Sequence, residues 1–389
     1  MGNQTSKITS CLIIKNEKDN IIPLVESLLK FSDEIMIADT GSTDGTLDRL
    51  MVFSGDDRVH LTFFDWTDNF AEARNFAFNQ PSKYTSENDY FFWCDGDDII
   101  DDNLVKAILE LKKKNFENLS SVMLDYYKYP DGNFLCLRHS FIRKHDFEQW
   151  VGIVHEYPCF SGRNGVKVID RNQAYLYHDK EPGINSCLRN LKIFTNKYLT
   201  DKTLDTFSLR DLFYYGYEFY NNGMDEDAKR IFDILLEKGT ESRQPEWQEY
   251  YFVTAITCIA EMNFRKQDLE TMFSYLSKAM KYFKVLRADT SYYLGYYFRE
   301  IGMFDKSRHY LNYCKNLDYK DYINNTFSNE EFYKRKALEL LCNVYWCLED
   351  NQASYESYKE LKEKYPESEV IDMNKDWYRE LKMKGEIHD

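Results

Sequence analysis

Within the first hundred residues, short runs of β-branched and aromatic side chains alternate with segments whose apolar residues recur every three or four positions. The runs I-T-S-C-L-I-I (8–14), I-M-I-A (35–38), V-H-L-T-F (59–63) and Y-F-F-W-C (90–94) have the length and composition of strands. Between them, Ile21, Ile22, Leu24, Val25, Leu28 and Leu29 keep helical spacing, and residues 46–53 read as a second helix. Residues 69–78 read as a third, with Glu72 three positions after a capping Asn69. This rhythm predicts an α/β domain, a mainly parallel sheet with helices on both faces.

Parallel strands bring their carboxyl ends to one edge of the sheet, where open α/β folds hold ligands. Two of these runs end on acids there: Asp39, which opens the loop T-G-S-T-D-G-T, and Asp95-Gly96-Asp97-Asp98. Convergent carboxylates suit a hard divalent cation such as Mg²⁺ or Mn²⁺, which takes one or two of them together with substrate phosphate oxygens. Neither GxGxxG nor GxxxxGK[ST] occurs, so a diphosphate would lack the usual backbone cradle and need a metal to neutralise it. Read alone, residues 95–98 could also be an exposed acidic turn that caps a helix beginning near Asp101.

A net charge of −15 argues against a nucleic-acid partner, because phosphate backbones demand basic surface. The nine cysteines include no CxxC pair and several sit in apolar runs, which fits reduced thiols in a cytoplasmic protein rather than a zinc site. No secretory h-region and no apolar run long enough to span a membrane is present in the sequence. Gly2 to Ser6 matches the M-G-x-x-x-[ST] acylation pattern, but strand residues follow almost at once and no lipid anchor is expected.

Four ordered elements carry a family resemblance: I-I-K-N-E (13–17), I-A-D-T-G-S-T-D-G-T (37–46), F-A-E-A-R-N (70–75) and F-W-C-D-G-D-D (92–98). From Cys11 to Asp98 the chain resembles the nucleotide-sugar domain of family 2 glycosyltransferases, which have the GT-A fold. The resemblance implies a base and ribose pocket built from Asn16, Glu17 and Asp39, with Asp44 nearby. Gly41 and Ser42 would keep that loop small enough for the nucleotide to approach backbone. Arg74 would hold the nucleotide end and orient the acidic motif. Asp95 would face the ribose or the metal, and Asp97 would be the principal cation ligand. The additional Asp98 leaves open which acid binds the metal.

Further on, Arg138, Arg143, the W-x-G-x-V-H-E run (150–156) and Tyr177-His178 resemble the second half of one branch of these enzymes. Inverting transfer needs a base beside the acceptor and charge stabilisation for the departing diphosphate. Glu156 is the expected base, with His155 its rival for that role. His178, after the apolar stretch 174–177, is either a third metal ligand or a surface histidine at a turn. Arg189 and Asn190 could reach the diphosphate.

From about residue 205 strand signals cease, which divides the chain into an expected catalytic domain (1–200) and a helical domain (201–389). Gly216, Phe219, Gly223, Ala228 and Phe232 fall at tetratricopeptide spacing, and Gly295, Phe298, Gly302, Ser307 and Leu311 repeat the pattern. Weaker units at 250–280 and 336–366 bring the expectation to about four helical hairpins, stacked as one solenoid with a concave surface. Its tyrosines either pack between helices or line a groove for a peptide or for a second subunit of a homodimer. A GT-A domain joined to such a tail is similar to the bacterial transferases that glycosylate Cys or Ser of bacteriocin peptides. That likeness implies a UDP-sugar donor and a peptide acceptor. A glycan or cell-envelope acceptor, or a non-catalytic scaffold carrying a degenerate transferase domain, are the alternatives.

Overall fold

The computed structural model describes residues 5–128, 134–169, 173–178, 184–241, 249–279, 286–317 and 330–388. The Gly2 acylation pattern and the Cys187 side chain lie outside them. The chain divides into two compact units, Met1–Leu204 and Asp205–Asp389.

The first unit begins β1 (Ile8–Ile14), α1 (Ile21–Leu28), β2 (Glu34–Asp39), α2 (Thr46–Leu50), β3 (Val59–Phe63), α3 (Phe70–Phe78) and β4 (Tyr90–Asp95). It continues through β5 (Asp98–Ile99), α4 (Asp102–Lys113), β6 (Ser121–Lys128), β7 (Phe134–Arg143), β8 (Phe147–Val151), β9 (Tyr157–Phe160), β10 (Val166–Val168), β11 (Tyr175–His178) and α5 (Ile184–Asp201). The main sheet runs β3-β2-β1-β4-β7-β6-β11-β5, with β10 also paired to β6, while β8 and β9 form a separate hairpin.

β1 is buried along its whole length and lies parallel to β2 and β4. Its side chains alternate between two cores, as a strand covered on both faces must. Ile8, Leu12 and Ile14 join Ile35 and Ile37 beneath α1 and α4, whose buried stripes include Leu24, Leu28, Leu104 and Ile108. Cys11 and Ile13 join Met36 and Ala38 against Ala73, Ala77 and Phe78 of α3. Each large apolar side chain so covered contributes about 1.5–3 kcal/mol relative to exposure. The capping reading of Asn69 holds: its Oδ1 accepts the Glu72 amide at 3.2 Å, and its Nδ2 donates to Glu72 at 2.9 Å. The helix expected over 46–53 closes at Leu50 and continues only as one 3₁₀ turn, Met51–Phe53.

The sheet is mostly parallel, with antiparallel pairing concentrated in its second half, where β7 runs antiparallel to both β4 and β6. The link from β6 to β7 is too short for a crossover helix, so the pair returns as a hairpin. The register places Asp39 beside Ile14 and Asp95 beside Ile13, so both acids stand at the same end of β1.

The second unit contains α6 (Leu209–Asn221), α7 (Asp225–Glu241), α8 (Glu249–Arg265), α9 (Leu269–Ala279), α10 (Ala288–Glu300), α11 (Phe304–Asn316), α12 (Glu330–Cys347), α13 (Asn351–Lys364) and α14 (Glu369–Met383). Successive helices α6 to α13 pack as antiparallel pairs, and all four pairs share one turn. A residue at positive φ (Gly223, Gln267, Gly302, Glu349) is followed by an amide that donates five residues back. These bonds are Met224 to Phe219, Asp268 to Asn263, Met303 to Phe298 and Asp350 to Tyr345, all 2.8–3.0 Å. Within the pairs, a Cβ on Gly216 would lie 2.6 Å from the Phe232 ring, and one on Gly295 2.6 Å from Leu311. Many tyrosines here pack between helices: Tyr292 and Tyr293 are buried, and Tyr297 stacks on Phe273 at 4.2 Å.

Candidate functional site

The β1–α1 and β2–α2 loops are stitched together before any ligand is considered. Asn16, at φ 59°, accepts the Thr43 amide on Oδ1 at 2.8 Å and donates its own amide to Ser42 Oγ at 2.9 Å. Asp39 is buried, and its carboxylate accepts the amides of Gly41 at 2.9 Å and Ser42 at 3.0 Å. Gly41 adopts φ 102°, a left-handed conformation that glycine tolerates without strain. Asp44 accepts Thr46 and the Lys18 amide, and the Thr46 hydroxyl bond with other local bonds holds its carboxyl below the ordinary range. Glu17 donates its amide to Thr46 Oγ1 at 2.8 Å. A Cβ on Gly96 would meet Glu17 Cγ at 2.7 Å, so glycine there lets the acidic turn close onto Glu17. Asn16, Glu17, Asp39, Gly41, Ser42 and Asp44 thus form one continuous rim.

Beside that rim the four-residue acidic turn divides its labour. Asp97 and Asp98 are buried, which removes the reading of an exposed turn; the cap of α4 is Asp101, which accepts the Leu104 amide at 2.8 Å. Asp95 accepts Arg74 Nη2 at 2.5 Å and Arg138 Nη2 at 3.2 Å. Burial would raise its proton affinity, but Arg138 and Arg74 outweigh it and hold the carboxyl well below the usual carboxylate range. Asp98 accepts Arg138 Nη1 at 3.1 Å, the Tyr126 hydroxyl at 2.5 Å and the Asp95 amide at 2.7 Å. Burial, followed by the charge of Asp95, pushes Asp97 up to about 6.

His178 pairs with Asp98 across β11 and β5, and its Nδ1 lies 3.5 Å from a carboxylate oxygen of each of Asp97 and Asp98. Burial lowers its basicity, but the hydrogen bond to Asp98 and the charge of Asp97 more than restore it, leaving it above the ordinary histidine value. One ligand atom each from Asp97, Asp98 and His178 falls within 4.8 Å of the others. Two oxygens and one imidazole nitrogen fit Mn²⁺ or Mg²⁺, with coordination positions left for water and phosphate. Asp95, bound by both arginines, is not one of this trio, and Asp98 is.

Arg74 ties the acids to the W-x-G-x-V-H-E segment. Its Nε donates to Glu156 Oε1 at 2.6 Å, and its guanidinium lies 4.4 Å from the Trp93 ring centre and 5.1 Å from that of Trp150. Burial would weaken its proton affinity, yet Asp95 and Glu156 raise it above the ordinary value. Arg138 covers Trp93 as well, at 3.6 Å. Asn75 donates Nδ2 to the Trp150 carbonyl at 2.9 Å and accepts the Trp150 amide at 2.8 Å, and the Phe70 amide binds the Ile153 carbonyl at 2.9 Å. Two residues of α3 therefore fix the backbone that leads to Glu156, and a third, Arg74, holds its side chain. His155, at φ 54°, is exposed. Arg189 on α5 donates to Asn190 and sits 4.9 Å from the Phe70 ring centre, at the amino end of α3. Sequence reasoning gave Asn75, Trp93 and Tyr126 no role, although Asn75 stands within the quoted F-A-E-A-R-N element.

Residues 10–168 match the family model described as glycosyl transferase family 2. These residues form a family 2 glycosyltransferase domain. The chain is 24% identical over 279 residues to the SPbeta prophage-derived glycosyltransferase SunS of Bacillus subtilis (strain 168), covering 70% of this chain and 63% of that protein. Glycosyltransferase SunS of Bacillus phage SPbeta matches with the same figures. The chain therefore spans somewhat less than two thirds of these relatives' length. Among solved structures, that of Pseudomonas aeruginosa pilF aligns at a TM-score of 0.37 and 11% identity, over 49% of this chain and 75% of that one. At that score the likeness carries no weight for fold or function. Among the described residues, no helix is long and apolar enough to cross a membrane.

Proposed function

We propose that the chain transfers a sugar from a nucleotide diphosphate, most simply a UDP-sugar, to a Cys or Ser of a peptide, with inversion at the anomeric carbon. The observation that carries this reading is the partly buried Asp97–Asp98–His178 trio beside the Asp95–Arg74–Glu156 chain, at the carboxyl edge of a family 2 domain. The rim from Asn16 to Asp44 would receive the base and ribose. Asp97, Asp98 and His178 would hold Mg²⁺ or Mn²⁺, which when bound neutralises the diphosphate charge. The acceptor's thiol or hydroxyl attacks the anomeric carbon, the bond to the phosphate oxygen breaks, and its electron pair leaves with the diphosphate. Glu156 takes the acceptor's proton, with Arg74 on Oε1 fixing the carboxylate's orientation. Arg189 lies within the same unit as a further cation for the diphosphate.

The peptide acceptor is supported by the helical hairpins of the second unit, which repeat one turn four times and as a repeat array would offer an extended surface. The direct test incubates the protein with Mn²⁺ and a panel of nucleotide sugars and follows products by mass spectrometry. Cleavage of one donor to its nucleoside diphosphate is expected, with transfer when a cysteine- or serine-containing acceptor peptide is added. Intact donors throughout, with no nucleotide bound, would remove the transferase reading.

A further inference from the structure

The second unit contains a cavity of about 270 Å³ between α12 and α14. Glu339, Asn343 and Trp346 reach it from α12 at spacings of four and three, one face of a helix, while Asn374 and Trp377 reach it from α14. The Trp346 and Trp377 rings stand 6.3 Å apart at 89°, an open corner of two indoles. Trp346 remains 52% exposed, a large indole that the fold's own packing leaves uncovered.

The polar groups narrow what could fill that corner. Asn343 gives its Oδ1 to Arg299 Nε at 2.8 Å, which leaves its amide donors to the cavity. Asn374 donates Nδ2 to the Val370 carbonyl at 3.0 Å, which leaves its Oδ1 as an acceptor. Glu339 is already engaged: Lys336 binds one oxygen at 2.8 Å, Ser368 the other at 2.7 Å, and Arg335 Nε lies 3.8 Å away. Two cations around one carboxylate leave no net negative charge to recruit a lysine or arginine side chain, despite the attraction of indoles for cations. A purely apolar side chain would leave both amides unanswered. A ring with polarised C–H faces and a rim of hydroxyls answers the indoles and the amides together.

We propose that this cavity is a pyranose-binding subsite, separate from the strand-edge site of the first unit. It is small beside the roughly 300–1,000 Å³ of pockets for drug-sized ligands, which suits a single sugar ring. A glycan acceptor, or a sugar already attached to an acceptor, would present such a ring. The inference does not depend on sugar transfer by the first unit, and binding here would persist if that unit proved inactive.

The test uses saturation-transfer NMR on the full chain with methyl pyranosides of glucose, galactose, mannose, N-acetylglucosamine and N-acetylgalactosamine, and with N-acetylarginine methylamide. At least one pyranoside should bind, and Trp346→Ala should weaken it about tenfold, the scale of one aromatic contact. Asn374→Ala, which removes the acceptor and no core packing, should weaken it similarly, with melting temperature and donor hydrolysis unchanged in both variants. No pyranoside signal would overturn the proposal. So would a signal equal in wild type and both variants, or Trp346-dependent binding of the arginine derivative alone.

Discussion

Arg74→Met should destabilise the first unit by about 3–5 kcal/mol, the usual cost of stranding one side of a buried ion pair. Arg74 and Glu156 are 4% and 10% exposed, whereas the Asp95 side chain is 32% exposed and keeps Arg138 as a second partner. Most of the loss therefore comes from Glu156. At about 2–4 °C per kcal/mol for a unit of this size, the melting temperature should fall by roughly 6–20 °C. Adding Glu156→Gln removes the stranded charge and should recover part of that loss, a coupling read from the double-mutant cycle. A fall of only about 1 °C in the single variant would mean that desolvating the guanidinium already cancels what its two carboxylates return.

Glu156→Gln alone keeps the side chain's shape and its acceptance from Arg74 while removing the proton acceptor. Nucleotide affinity should hold and transfer should fall by about 10²–10⁴-fold. His155→Ala should leave transfer near wild type, because His155 is exposed to solvent whereas Glu156 is held in place by Arg74. The reverse pattern would move the base to His155. Small losses in both variants would mean that the acceptor thiol ionises without help from either.

The parallel half of the sheet was legible because strands buried on both faces are nearly continuous apolar runs, as in Ile8–Ile14 and Tyr90–Cys94. Strand ends follow from such runs, so the meeting of Asp39 with the Asp95 turn could be read as well. What could not be read was how the three acids of that turn share partners. That Asp98 turns toward His178 while Asp95 is taken by two arginines depends on Arg138 and Tyr126, which arrive from β7 and β6 through antiparallel pairing without a helical spacer. Asn75 was missed for a related reason: a side-chain amide that binds both backbone groups of Trp150 acts across 75 residues of sequence and leaves no local pattern. In the second unit, two of the four hairpin turns place Gln267 and Glu349 where glycine is the usual residue, so a glycine-based repeat shows only two units strongly.

The claim on which the rest stands is that the acidic edge holds a nucleoside diphosphate through a divalent cation. Isothermal titration of UDP into the protein, with Mn²⁺ and then with EDTA, tests it in wild type and in Asp97→Asn. Asp97→Asn keeps size and hydrogen-bonding capacity while removing a ligand charge, and an unchanged circular dichroism spectrum would establish that the variant is folded. The account predicts metal-dependent binding in wild type and affinity at least about 10–100-fold weaker in Asp97→Asn, since removing a direct ligand costs no less than removing its supporting partners. UDP binding of equal strength in EDTA, or in the folded variant, would contradict it.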